Sequence, residues 1–142
     1  MQVYDLIKNQ DTYRADAEQS VLDVALAMVE RNIGAVPVLR DGLLVGVFSE
    51  RDLMKRVVVE GRDAAATRIA DVMTANPFTV EPDQDVCSCM ALMQHHGFRH
   101  LPIMGPHGKL LGVFSVRDAL PREVGAAVSM AEFNEQVNDA RG

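Results

Sequence analysis

The stretch GVFSERD, Gly46–Asp52, returns sixty-six residues later as GVFSVRD, Gly112–Asp118. Six of its seven positions are identical, and only Glu50 and Val116 differ. The agreement spreads outward from this joint. With Val21 set opposite Val86, Met28 falls on Met93 and Pro37 on Pro102. One extra residue in the second loop keeps the register. Upstream, with a one-residue gap, Val3–Asn9 (VYDLIKN) answers Ile69–Ala75 (IADVMTA). A period of about 65 residues is too long for a solenoid unit and fits a duplicated small domain.

Each half carries the same punctuation. Ser20 is placed to cap a helix whose Val21, Val24, Ala25, Met28 and Val29 share one face. Asn32 fits the left-handed position that ends it. In the second half Asp85 is the cap and Gly97 the terminator. A short apolar run follows each helix, AVPVL from Ala35 and HLPIM from His100, with a proline that marks a strand start or edge. A second apolar run completes a hairpin. In the first half Asp41-Gly42 supplies its turn, and in the second Gly105–Gly108 does. A helix then starts at Ser49 and at Ser115. Gly61 ends the first of these helices, and Thr67 is the expected cap of the short turn IADVM. The reading is a mixed α/β (α+β) chain of tandem β-α-β-β-α repeats. Neither half has a large core, so their two small sheets should pack together. The boundaries are 1–60 for the first repeat, 61–68 for a linker, 69–124 for the second repeat and 125–142 for a helical tail.

The chemistry of the joint has two readings. Ser followed three residues later by Asp resembles a capping box, worth about 1 kcal/mol. That reading leaves Arg51 and Arg117 unexplained. A serine hydroxyl, free amide groups and an arginine also suit a phosphate, and the aspartate could accept from a ribose diol. The two readings are compatible.

At 142 residues, with 48% apolar and 24% charged side chains, the composition is that of a globular protein. The net charge of −6 argues against a nucleic-acid partner. No apolar run approaches the roughly 20 residues that span a bilayer, and no secretory signal opens the chain, so a cytoplasmic location is the expectation.

Taken together, the paired G-h-x-S-x-x-D segments (h apolar), NIGAVPVLRDG at Asn32–Gly42, FRHLPIM at Phe98–Met104 and DVMT at Asp71–Thr74 resemble a pair of CBS domains, a Bateman module. The resemblance covers nearly all of residues 1–124. It implies two clefts related by a pseudo-two-fold axis that bind adenosine compounds: AMP, ADP, ATP, NAD or S-adenosylmethionine. Carried across, Asp52 and Asp118 hold ribose hydroxyls. Ser49 and Ser115 contact phosphate, with Arg51 and Arg117 nearby. Ala35, Val36 and Pro37, and likewise His100, Leu101 and Pro102, pass along the adenine. The resemblance further implies a homodimer with no required cofactor. No enzyme or transporter domain accompanies the repeats in this sequence, so a regulatory output would pass through a separate protein partner. The competing reading is a structural dimerisation or adaptor protein with empty clefts.

The halves differ. Lys55 and Arg56 follow the first motif, which makes Ser49, Arg51 and Asp52 the expected stronger phosphate grip. Pro121 stands where the first half has Lys55, so the second helix should stop or kink at Leu120. Arg99-His100 replaces Gly34-Ala35 and charges that wall. His95, His96, His100 and His107 lack ligand spacing and carry no metal expectation. Cys87 and Cys89 point about 200° apart on a helix, which suits neither a mutual disulfide nor a shared metal. No nucleophile motif stands out, so catalysis is not expected. In the tail, Ser129 opens a capping-box pattern with Met130, Phe133 and Val137 inward, as an edge-closing helix or a dimer contact.

Overall fold

The computed structural model describes residues 1–119. The tail helix and the expected break at Leu120 lie outside the described residues. The chain runs through α1 (Tyr4–Ile7), β1 (Ala15–Asp16), α2 (Val21–Arg31), β2 (Ala35–Arg40) and β3 (Leu43–Ser49). It continues through α3 (Glu50–Asp52), β4 (Thr74–Ala75), α4 (Val86–His96), β5 (His100–Met104) and β6 (Leu110–Ser115). Helix α3 passes directly into a π-helix, Leu53–Val58. Single 3-10 turns occupy Ile69–Asp71, Pro106–Gly108 and Val116–Ala119.

Local chemistry sets the boundaries. The Ser20 hydroxyl accepts from the Asp23 amide, and the Asp85 carboxylate accepts from the Cys87 and Ser88 amides. Asn32 and Gly97 close the two long helices in the left-handed region, at φ 54 and φ 76. Asp41 and Gly42, at φ 52 and φ 80, form the two-residue turn joining β2 to β3. Three expectations are corrected. Val29 is 81% exposed, so the inward stripe of α2 is Val21, Val24 and Met28. Thr67 does not cap the Ile69–Asp71 turn; Arg68 holds that position without a side-chain bond, and the Thr67 hydroxyl donates to the Asp63 carbonyl. Pro37 sits inside β2, a strand with neighbours on both sides, opposite Val47, whereas Pro102, opposite Val113, lies as expected on an edge strand, β5 of the two-stranded sheet.

The strands form two sheets. One has the order β1-β2-β3-β4, with β1 parallel to β2 and the other neighbours antiparallel. The other is the hairpin β5-β6, extended by a parallel bridge between Val80 and Ile103.

Two cores result, and each borrows from the other half. The first gathers Val21, Val24, Met28, Val36, Val38, Phe48 and Val57 with Ile69 and Val72. The second gathers Val80, Cys89, Met93, Leu101, Ile103 and Phe114 with Val3 and Ile7. The segment leading into each repeat therefore completes the opposite one. Burial of side chains such as Ile69 and Ile7 is worth about 1.5–3 kcal/mol each. The crossing explains the glycine that opens the repeated motif. A Cβ on Gly46 would lie 2.8 Å from the Thr74 carbonyl oxygen and 2.5 Å from Met73 Sδ. A Cβ on Gly112 would lie 2.9 Å from both Gln10 Oε1 and Ile7 Cδ1. The motif begins with glycine because another segment lies directly on the strand there.

The two crossings differ. Thr74 and Ala75 pair with β3 as a true strand. Beside β6, the Gln10 side chain stands in for a strand: its Nε2 donates to the Val113 carbonyl (3.0 Å) and its Oε1 accepts from the Val113 amide (2.9 Å). The chain after Gln10 is thereby free to turn away and form a wall.

Candidate functional site

That wall borders a cavity of about 380 Å³ between the repeats, within the range of about 300–1,000 Å³ usual for small-molecule sites. One side is Gln10–Tyr13 with Arg31 at the end of α2. A second side is Ile33, Gly34, Ala35 and Pro37, entering and following β2. The third, from the other repeat, is His100, Val113, Ser115, Arg117 and Asp118. The lining joins an apolar strip to a polar end, which fits a flat base with a polar substituent.

The polar end is preorganised. Asp118 Oδ2 accepts from the Ser115 amide at 2.8 Å, and the Ser115 hydroxyl accepts from the Arg117 amide at 3.1 Å. Arg117 Nη2 donates to the Asn32 carbonyl at 3.2 Å, so the second repeat's arginine is anchored on the first repeat's helix end. Across the cavity, the Arg31 guanidinium lies 5.0 Å above the Tyr13 ring and 3.7 Å from an Asp11 oxygen. Burial pushes the His100 imidazole down to about 4, with Arg117 and Arg99 adding to the shift, so it is neutral at pH 7.

Six of the residues singled out from the sequence come together here: Ala35, Pro37, His100, Ser115, Arg117 and Asp118. Val36 and Leu101 are fully buried in the two cores and offer only backbone to a ligand. Pro102 is buried and Arg99 exposed, with its carbonyl accepting from the Val116 amide.

Ser49, Arg51, Asp52 and Lys55 lie at the other joint, which is differently arranged. Asp52 is 8% exposed and both its oxygens are engaged. Oδ2 accepts from the Ser49 amide and hydroxyl, at 3.0 and 3.1 Å. Oδ1 accepts from the Thr74 hydroxyl at 3.1 Å and lies 3.6 Å from Arg56 Nε. Arg56 also donates to the Met73 carbonyl at 2.7 Å. Ser49 and Asp52 thus make a complete capping box, and the crossing segment lies over it. Arg51 and Lys55 are exposed.

Tyr13, Arg31 and the Gln10–Thr12 wall were not among the sequence candidates. Tyr13 carried a usable signal: it is one of two tyrosines in an aromatic-poor chain and sits in a polar connection with no core periodicity. Among the described residues no cluster of three His, Cys, Asp or Glu side chains could hold a metal. Cys87 is exposed and Cys89 buried, and burial raises the Cys89 thiol, with Asp85 adding to the effect. Among the described residues no helix is long and apolar enough to cross a membrane.

Comparison with known proteins agrees with this architecture. The CBS domain profile matches residues 3–59 and again 69–124, and the chain belongs to the CBS domain family. A CBS-domain protein from Burkholderia ambifaria superposes with a TM-score of 0.81 at 33% identity, over 89% of this chain and 96% of that one. The mitochondrial CBS domain-containing protein CBSX3 of Arabidopsis thaliana is 32% identical over 72% of this chain and 52% of its own length. This chain thus spans about half of that relative. The Pyrobaculum aerophilum CBS domain protein PAE2072, complexed with AMP, shares the fold with a TM-score of 0.77 at 24% identity, over 93% of this chain and 99% of that one.

Proposed function

We propose that this protein is a regulatory module that binds an adenosine-containing ligand of the AMP, ADP, ATP or NAD type and reports its occupancy to a separate protein. The observation that carries this reading is a single cavity built from both repeats: Ala35 and Pro37 from one, and Ser115, Arg117 and Asp118 from the other. The base lies along Ile33, Ala35 and Pro37. The ribose diol donates to the Asp118 carboxylate. The phosphate meets Ser115 and the guanidinium of Arg117. The relative of the same fold complexed with AMP supports an adenosine compound as the ligand.

Binding is regulatory rather than catalytic. A ligand that touches both repeats favours whichever arrangement of the two it fits best, and that difference in affinity is the signal. At the pseudo-symmetric joint, Ser49, Arg51, Asp52 and Lys55 make the second candidate position; there Asp52 accepts from Ser49 and Thr74 and lies 3.6 Å from Arg56. Leu22, Leu26 and Val29 on α2, with Met54 and Val58 on the π-helix, are exposed apolar side chains suited to pairing two copies as a homodimer.

The test is titration calorimetry with a thermal shift, using AMP, ADP, ATP and NAD. A ligand at a hundred times its Kd stabilises the fold by about 2.7 kcal/mol, a readily measured rise in Tm. No stabilisation by any of the four at millimolar concentration overturns the reading and leaves the adaptor role.

A further inference from the structure

The residues that join α2 to β2 form a wall shared by two hollows. Ile33 and Gly34 line the ligand cavity, while Asn32 and Ile33 line a second hollow of about 250 Å³ against Glu50 and Leu53. We infer that Arg117 is a latch on this wall: in the free protein it holds the Asn32 carbonyl, and a ligand phosphate draws it off. The inference rests on the adenosine reading above and adds the route by which occupancy leaves the cavity.

Bonds within the first repeat hold most of the wall. The Ile33 amide donates to the Met28 carbonyl at 3.0 Å, and the Gly34 carbonyl accepts from the Glu50 amide at 2.9 Å. The Asn32 carbonyl is held from the second repeat instead, by Arg117 Nη2 at 3.2 Å. Asn32 sits in the left-handed region at the end of α2, where the helix dipole favours a cation. A phosphate is nevertheless the stronger partner. It carries a formal charge and can take two parallel N–H bonds from the guanidinium fork, and such pairs are roughly twice as strong as bonds between neutral groups. The Asn32 carbonyl offers one exposed bond at the long end of the usual range. Arg117 lines the cavity together with Ser115, so turning its fork to the phosphate gives up the bond to Asn32. Because Arg117 meets the wall in one state and the ligand in the other, the ligand shifts the balance between them. The released wall then changes the hollow at Glu50 and Leu53.

The carbonyl-carbon NMR shift of Asn32 reads the latch, since it moves when the hydrogen bond is lost. Arg117→Ala in the full chain, at an exposed position that spares the fold, gives the released value. Saturating AMP should move the parent at least half of the way to that value. Adenosine has no phosphate and should leave the carbonyl where it is in the free protein. Calorimetry in the same buffer shows that each compound is bound. An Arg117→Ala shift equal to that of the free parent overturns the latch whether or not a ligand binds. Bound AMP that leaves the shift unmoved, or adenosine that moves it as far as AMP, overturns the latch and leaves the adenosine reading intact. Failure of both compounds to bind overturns the adenosine reading and the latch with it.

Discussion

Replacing the two motif aspartates should separate structure from binding. In Asp52→Ala the Ser49 amide and the Thr74 hydroxyl lose their acceptor, and Arg56 loses its ion-pair partner. Loss of a helix cap costs about 1 kcal/mol. Leaving a partly buried donor unpaired costs about 1–3 kcal/mol more. The Arg56 pair adds little, because that side chain is half exposed. The sum is about 2–4 kcal/mol, or roughly 10 °C in Tm for a chain of this length. Ligand affinity, measured by calorimetry well below the new Tm, should change less than threefold. Asp118→Ala is the counterpart: its carboxylate lines the cavity, so affinity should fall at least tenfold. Urea titrations and melts of both variants, each followed by calorimetry, give the four numbers needed. A Tm for Asp52→Ala within 2 °C of the parent, or a loss of affinity equal to that of Asp118→Ala, refutes the assignment of the first aspartate to architecture.

Three further outcomes are expected. His100 has a folded pKa of about 4, below its unfolded value of about 6.5, so the unfolded chain binds more protons in that window. Its effect on stability is absent above about pH 6.5 and grows to a loss of about 3 kcal/mol as pH falls toward 4; urea titrations at pH 7 and pH 4.5 should show a smaller difference in His100→Gln than in the parent. Gly46→Ala drives a methyl group into the Thr74 carbonyl and should destabilise by about 1–3 kcal/mol in a thermal melt. Gln10→Ala strips both side-chain bonds from Val113 and should cost about 2 kcal/mol in the melt while weakening the ligand in calorimetry, because Thr12 and Tyr13 lose their anchor.

What could be read from the sequence was what local chemistry decides. Ser20, Asp85, Asn32, Gly97 and Asp41-Gly42 act within a few residues of themselves, and each does in the structure what its type prefers. Duplication of the Ser-Arg-Asp joint placed Ser115, Arg117 and Asp118 at a shared cavity. Two local readings failed for different reasons. Val29 continues the helical stripe but points past the core, and the Thr67 hydroxyl finds the Asp63 carbonyl first. The bond from the Thr74 hydroxyl to Asp52 was not legible, because it spans 22 positions. Nor was the Gln10–Tyr13 wall, since it depends on a side chain imitating a strand beside Val113, 103 positions away.

The crossed segments also set the order in which the protein can be made. Ile69 and Val72 follow closely on the residues they cover, so the first core can close on the ribosome soon after Val72 emerges. Val3 and Ile7 have no such partner nearby; theirs include Leu101, Ile103 and Phe114. At about 5–20 residues per second, Gln10 waits roughly 5–20 s for Val113 to be synthesised. During that interval Val3 and Ile7 lack their partners, and a chaperone that holds exposed apolar segments would find them there.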